Sequence, residues 1–141
     1  MNILFFGDIF GRPGRDACAR ALPGLKEKYH PDIVICNGEN LAHGAGATES
    51  VVNAMFSAGV DIVTSGNHIF DKPNIIDFMD RDKRLIRPLN FEACSPGEGF
   101  SIIEKNGTKV MVLNLIGQLF FKRQYQNAFL IVEEFLQTVP S

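Results

Sequence analysis

The sequence lacks several features that would place it in a familiar class. It has no tryptophan, and its three cysteines show no CxxC spacing, which argues against a paired-cysteine zinc site or a disulfide scaffold. We therefore expect reduced thiols. No apolar run approaches the roughly 18 residues of a membrane helix, and the start has no basic leader. These absences favour a cytoplasmic protein that does not contact a membrane.

The chain also lacks a charge excess of either sign. Lys and Arg number 14 and Asp and Glu number 16, so the net charge is −2. A protein that coats a polyanion usually has a basic excess, but a site for a few phosphates is not excluded. With 141 residues, 45% of them hydrophobic, the chain is long enough for one domain over residues 1–141 with a real core.

The order of apolar runs predicts an α/β fold. Short apolar runs alternate with amphipathic helical stretches, which is typical of a parallel sheet with crossover helices. Asn106-Gly107 between two further apolar runs predicts a hairpin that adds antiparallel strands at one side. The predicted strands are 2–6, 33–36, 60–64, 85–86, 99–104 and 109–115, and helices are expected from 13, 48 and 71 and over 127–136. The first strand is predicted to be buried on both faces.

Polar residues follow three successive strands of the predicted sheet. They are Asp8, then Glu39 and Asn40, then Asn67 and His68. Ligands of open α/β sheets bind beyond the carboxyl ends of the strands, so these side chains should converge. Two carboxylates, two amides and an imidazole suit Mg²⁺, Mn²⁺, Fe or Zn²⁺ better than a thiophilic metal. Asp and Asn are also common in caps and turns, but three clusters together favour a site.

Five segments resemble one known family. GDIFGRPGR, NGEN, GNHIFD, RPLNF and NLIGQLF look like the YmdB-like branch of the calcineurin-like metallophosphoesterases, and the resemblance runs to about residue 135. It implies a sandwich of two sheets and a dinuclear metal centre that hydrolyses 2′,3′-cyclic nucleotides to 3′-nucleotides. Phe10 stands where generic members carry the His of Asp-x-His, and Glu39 stands where they carry a bridging Asp. Both departures fit this branch.

The resemblance also implies a role for each strand-end residue. Asp8 and Asn40 would bind one metal, Glu39 would bridge both, and Asn67 would bind the second. His68 would be the general acid. The two divalent ions would be Fe or Mn before Mg or Zn. Such a pair clamps a phosphoryl group and lowers the pKa of a bound water, and a neighbouring His can protonate the leaving 2′ oxygen.

Weaker assignments concern substrate contacts and partners. Arg12 beside Asp8 could hold a phosphate, with a solvated loop arginine as the equal alternative, and His43 could touch substrate, although a loop histidine is more often plain surface. Besides cyclic nucleotides, RNA ends are a conceivable substrate. Residues 120–123 (Phe-Phe-Lys-Arg) are too few for a nucleic-acid patch and are interpreted as core plus rim.

The family pattern includes a further C-terminal half with three histidine ligands, and position 141 comes before them. We therefore expect a truncated metallophosphoesterase domain that contains one sheet and the start of a second. Its uncovered apolar face should lead to a homo-oligomer, and it should bind metal weakly and hydrolyse poorly alone. The alternative function is an inactive remnant that acts as a small α/β binding or oligomerisation module.

Overall fold

The computed structural model describes residues 1–121 and 124–139. The first part of this chain forms a four-stranded parallel sheet with strand order β1-β2-β3-β4. The strands are β1 (Ile3–Asp8), β2 (Ile33–Asn37), β3 (Ile62–Thr64) and β4 (Leu85–Ile86). Helices α1 (Gly11–Tyr29), α2 (Glu49–Ala58) and α3 (Ile75–Arg81) lie between them, with a short 3-10 turn at Ile69–Asp71. The prediction of a parallel sheet with crossover helices is confirmed.

The helices cover one face of this sheet. Their buried side chains meet those of alternate strand residues in one core, which includes Leu22, Val34, Cys36, Val52, Met55, Val63, Met79 and Leu85. Cys18 and Cys36 are buried free thiols and Cys94 is an exposed one, as the spacing predicts. Burial raises the pKa of the Cys36 thiol to about 12.

The hairpin covers the opposite face. Strands β5 (Phe100–Lys105) and β6 (Thr108–Leu113) pair antiparallel around Asn106-Gly107, whose φ angles of 52° and 74° match the turn that this dipeptide favours. Ile103, Val110 and Val112 pack on the four buried isoleucines of the sheet, which are Ile33, Ile35, Ile62 and Ile86. The hairpin is a separate two-stranded sheet, so it begins a second layer and does not extend the first sheet at its side.

The prediction that β1 is buried on both faces is wrong. Leu4 and Phe6 pack on the helix-side core, but Ile3 and Phe5 are 54% and 57% exposed. The reason is topological, since β1 is an edge strand and the hairpin's packing reaches β2 to β4 only. Sequence alone showed an unbroken apolar run, which is typical of a central strand.

The remaining elements lie near the C-terminal end of the described chain. Helix α4 (Ala128–Thr138) begins at Asn127, whose side chain accepts hydrogen bonds from the backbone of Phe129 and Leu130. The core-plus-rim interpretation of residues 120–123 is wrong for Phe120, which is fully exposed, while Lys122 and Arg123 lie outside the described residues. No helix in the described residues is long and apolar enough to cross a membrane.

Candidate metal centre at the ends of the strands

The ends of β1 and β2 bring Asp8 and Asn40 together. The Asn40 Nδ2 group donates to both carboxylate oxygens of Asp8, at 2.9 and 3.0 Å. The backbone N–H of Gly11 donates to the Asn40 carbonyl at 2.9 Å, which fastens the start of α1 to the same loop. The structure therefore places two of the sequence-predicted residues in direct contact.

Glu39 and Asn67 line one cavity of about 290 Å³ between the strand ends and the segment that follows the hairpin. The Asn37 Oδ1 atom accepts from the Glu39 backbone N–H at 3.0 Å and shapes the turn after β2. The Glu39 carboxylate lies directly against Gly66, because a Cβ at Gly66 would fall 1.8 Å from Glu39 Oε2. Only a glycine there allows Glu39 to occupy this position beside Asn67.

A buried amide holds the turn that carries Asn67. Asn114 Nδ2 donates to the Ser65 carbonyl at 2.7 Å and to the Ile86 carbonyl at 3.3 Å, and Ser65 Oγ donates to the Ile86 carbonyl at 2.8 Å. We call Ser65, Ile86 and Asn114 the amide clamp. Asn114 belongs to the NLIGQLF segment, but no role was predicted for it.

His68 follows Asn67 and enters the short 3-10 turn. Its Nδ1 atom lies 2.6 Å from Asp71 Oδ2, and both side chains are about two-fifths exposed. Ile69, between them, is fully buried and anchors the turn in the core. Asp71 was not predicted as a site residue. The signal that could have found it is the spacing of three residues, which puts two side chains on the same side of a helical turn.

The candidate site is acidic, since it includes the carboxylates of Asp8 and Glu39. Among the described residues, no Lys or Arg side chain forms an ion pair with Asp8 or Glu39. Two carboxylates without such an ion pair, together with the side-chain amides of Asn40 and Asn67, suit a hard divalent metal ion. The fit is partial, since residues 1–121 and 124–139 contain no cluster of three or more His, Cys, Asp or Glu that could hold a metal.

The two residues with the weaker prediction of substrate contact, Arg12 and His43, are exposed. Arg12 pairs with Asp16 at 3.5 Å, one turn further along α1, and its side chain is 83% exposed. His43 is exposed and has a positive φ of 58°. The neighbouring Arg15 has a structural task instead, because its guanidinium donates to the Leu41 carbonyl and holds the glycine-rich loop against α1.

Comparison with known proteins decides the family. A model described as YmdB-like protein matches residues 4–141. The chain belongs to the YmdB-like family. It is 46% identical over 120 residues to a Bacillus subtilis protein named 2′,3′-cyclic-nucleotide 2′-phosphodiesterase. It is 32% identical over 121 residues to a Mycoplasma genitalium protein named putative phosphatase/phosphodiesterase. These matches cover 85% and 83% of this chain, but 46% and 43% of the relatives.

Two solved structures share the fold of this YmdB-like chain. A hypothetical protein from Thermus thermophilus superposes with a TM-score of 0.90 at 31% identity, over 99% of this chain and 54% of that one. A structure titled as a novel phosphatase, from Mycoplasma pneumoniae, superposes with a TM-score of 0.88 at 31% identity, over 97% and 51%. The chain thus spans about half the length of the relatives it matches.

Proposed function

We propose that this chain forms the metal-binding part of a phosphodiesterase that hydrolyses 2′,3′-cyclic nucleotides to 3′-nucleotides. The observation that carries the proposal is that two carboxylates, Asp8 and Glu39, lie at the strand ends with two amides and form no ion pair with a lysine or arginine of the described residues. The names of the B. subtilis and Mycoplasma relatives support phosphoester chemistry, and the B. subtilis name supports the cyclic-nucleotide substrate.

The ligands divide into two groups that Glu39 joins. Asp8 and Asn40 are in contact and would hold one divalent ion, while Asn67 shares a cavity with Glu39 and would hold the other. Glu39, which the resemblance to the family makes the bridging ligand, would serve both ions. Iron or manganese is the expected pair. When bound, these ions would neutralise phosphate charge and act as Lewis acids on the phosphoryl group.

His68 supplies the proton in this proposal. Its Nδ1 atom faces Asp71, so Nε2 is the atom that faces outward to a substrate. As a water oxygen bonds to phosphorus and the bond from phosphorus to the 2′ oxygen breaks, a proton on Nε2 would pass to the 2′ oxygen, which leaves the phosphate on the 3′ oxygen. The contact between Nδ1 and the Asp71 carboxylate fixes the ring orientation.

One observation favours a second function. The described residues offer few metal donors, and a site with four side chains is small for two cations. A non-catalytic α/β module that binds a partner or a second copy would fit that observation. Metal stoichiometry distinguishes the two functions, because the module needs none.

The test compares two matched substitutions. Glu39→Gln should abolish most Mn²⁺ binding in a calorimetric titration and most hydrolysis of 2′,3′-cyclic AMP. Glu49→Gln, the same change in α2, should leave metal binding intact, because Glu49 pairs with Arg81 at 3.0 Å away from the strand ends. Equal metal affinity in the two variants, or no Mn²⁺ binding by the unmodified chain, would reject the proposed centre.

A further inference from the structure

Phe10 is an exposed aromatic residue next to the candidate site. It lies two residues after Asp8 and is 60% exposed, while Ile9, between them, is buried. The backbone of Phe10 is extended, with φ and ψ of −91° and 112°. Since side chains alternate along extended backbone, Asp8 and Phe10 present their side chains to the same side. The aromatic ring therefore lies beside a carboxylate of the proposed metal centre.

The ring is held in place by the glycine-rich loop, residues 41–47. Its outer end rests against Gly44, because a Cβ at Gly44 would collide with the Phe10 Cζ atom. Gly44 also has a positive φ of 88°, so the loop needs glycine here for two reasons. The contact restricts the ring, and a ligand that stacks on it therefore costs little further side-chain entropy.

The same loop joins Phe10 to the rest of the candidate site. The backbone N–H of Gly46 donates to the Glu39 carbonyl at 2.7 Å. A Cβ at Gly46 would lie 2.9 Å from the His68 carbonyl. Phe10 and the turn of His68 thus contact one short loop at two nearby glycines, Gly44 and Gly46. A ligand that reaches His68 and the metal ligands is therefore close to the ring.

The residue type at position 10 indicates what the ring does. Generic metallophosphoesterases carry a histidine here, and a phenyl ring has no donor atom with which to replace it as a metal ligand. The exposure of Phe10 also sets it apart from the phenylalanines of the core, such as Phe78 and Phe91. A phenyl ring beside a phosphate site suits a flat group carried by the same ligand, and nucleobases stack on aromatic side chains in this way.

We propose that Phe10 is a stacking platform for the base of the nucleotide whose phosphate lies at the metal centre. The inference rests on the proposed function and names the part of the substrate that this residue recognises. One ribose carries both the base and the 2′,3′-cyclic phosphate, so a phosphate held at Asp8 and Asn40 brings the base to the end of β1. Stacking is tolerant of base identity, so Phe10 favours nucleotides over simple phosphates without selecting one base strongly.

The test measures binding by the full 141-residue chain in calorimetric titrations with Mn²⁺ present, and the probes are 3′-AMP and inorganic phosphate. Phe10→Leu should weaken 3′-AMP binding by about 5- to 100-fold, the scale of base–aromatic stacking, and leave the phosphate affinity unchanged. Phe10→Tyr keeps a ring and should bind 3′-AMP like the unmodified chain. Unchanged 3′-AMP affinity in Phe10→Leu, or equal losses for both probes, would overturn the proposal.

Tyr29→Leu is the matched control, because it removes a ring that is 50% exposed at the opposite end of the sheet. Tyr29 ends α1, and its carbonyl accepts from the Asn2 side chain at the start of β1. This variant should bind both probes like the unmodified chain. Circular dichroism of each variant checks that it folds.

Adenosine separates this inference from the metal centre, since it has a base and no phosphate. In NMR titrations of the unmodified chain, we expect ring-current shifts of the adenine protons and nuclear Overhauser contacts with the Phe10 ring. Their presence without any binding of Mn²⁺ would reject the metal centre and keep the base contact. Binding of Mn²⁺ and phosphate without any adenine contact at Phe10 would reject the base contact alone.

Discussion

The contact between Gly66 and Glu39 gives the sharpest prediction about the site. In Gly66→Ala, the new Cβ would lie 1.8 Å from Glu39 Oε2 and 2.7 Å from Glu39 Cδ. An ordinary van der Waals contact begins near 3.4 Å, so the carboxylate must retreat by about 1.6 Å. Gly66 does not have a positive φ, and the clash is with the end of a flexible side chain. The fold should therefore survive while Glu39 moves.

We expect Gly66→Ala to lower the affinity for metal ions. A metal ligand must sit within a few tenths of an ångström of its ideal distance, so a displacement of this size removes Glu39 from the site. We expect Mn²⁺ affinity to fall by about 10- to 100-fold, the scale seen when ligand geometry is disturbed, or about 1.4 to 2.8 kcal/mol. Isothermal titration calorimetry measures the affinity, and thermal unfolding in chelator measures the fold separately.

Gly117→Ala is the control for this experiment. Gly117 lines the same cavity, but a Cβ there meets no atom within 4 Å. It should bind Mn²⁺ like the unmodified chain. If Gly66→Ala also binds Mn²⁺ with unchanged affinity, Glu39 is not a ligand. If Gly66→Ala unfolds, the local clash has been underestimated and the reasoning from a mobile carboxylate fails.

Three further predictions concern stability and reactivity. Hydrogen bonds from Arg84 lower the pKa of Asp82, so Asp82→Asn should lower the free energy of unfolding by about 1 kcal/mol near pH 7. In denaturant titrations this difference should shrink below about pH 4, where Asp82 becomes protonated, and a difference that does not depend on pH would contradict the pairing. A thiol reagent at pH 8 should label exposed Cys94 in the folded chain and leave Cys36 unlabelled until the chain unfolds, and rapid labelling of Cys36 would show that its burial is wrong. Asn114→Ala should lower the free energy of unfolding by about 1 to 3 kcal/mol, because the Ser65 carbonyl loses this donor while the Ile86 carbonyl keeps only Ser65 Oγ. A loss below about 0.5 kcal/mol, measured by denaturant titration, would argue against the amide clamp.

Local sequence signals predicted much of the fold because their physical causes are local. Asn106-Gly107 fixes a tight turn by its own backbone preference, and apolar runs such as that of β2 mark buried strands by composition. The order of such runs was enough to predict the parallel sheet. The exposure of Phe5 was not predictable in this way, because it depends on which strands the hairpin reaches.

For the candidate site residues too, local sequence signals predicted some features and not others. Their place at the strand ends could be predicted, because all strands of a parallel sheet end at the same side. The residues are Asp8, Glu39, Asn40, Asn67 and His68. The contacts that position them come from residues distant in sequence or from small geometric details. The hydrogen bond from Asn114 to a carbonyl 49 positions earlier could not be predicted from the sequence. The same is true of the Glu39 carboxylate, which fills the space beside Gly66.

The amide clamp has a consequence for the order in which the molecule assembles. Asn114 joins Ser65 and Ile86 across 49 and 28 positions of the chain, so the turn that carries Asn67 gains this support only after the hairpin has packed on the sheet. Contacts between residues this far apart form later than local helical contacts, because the entropy of closing the intervening loop must be lost first. We therefore expect the parallel strands and their helices to pack before Asn114 supports the turn that carries Asn67. We therefore expect the proposed metal centre to become complete late in folding and to be lost early in unfolding, before the helix-side core opens.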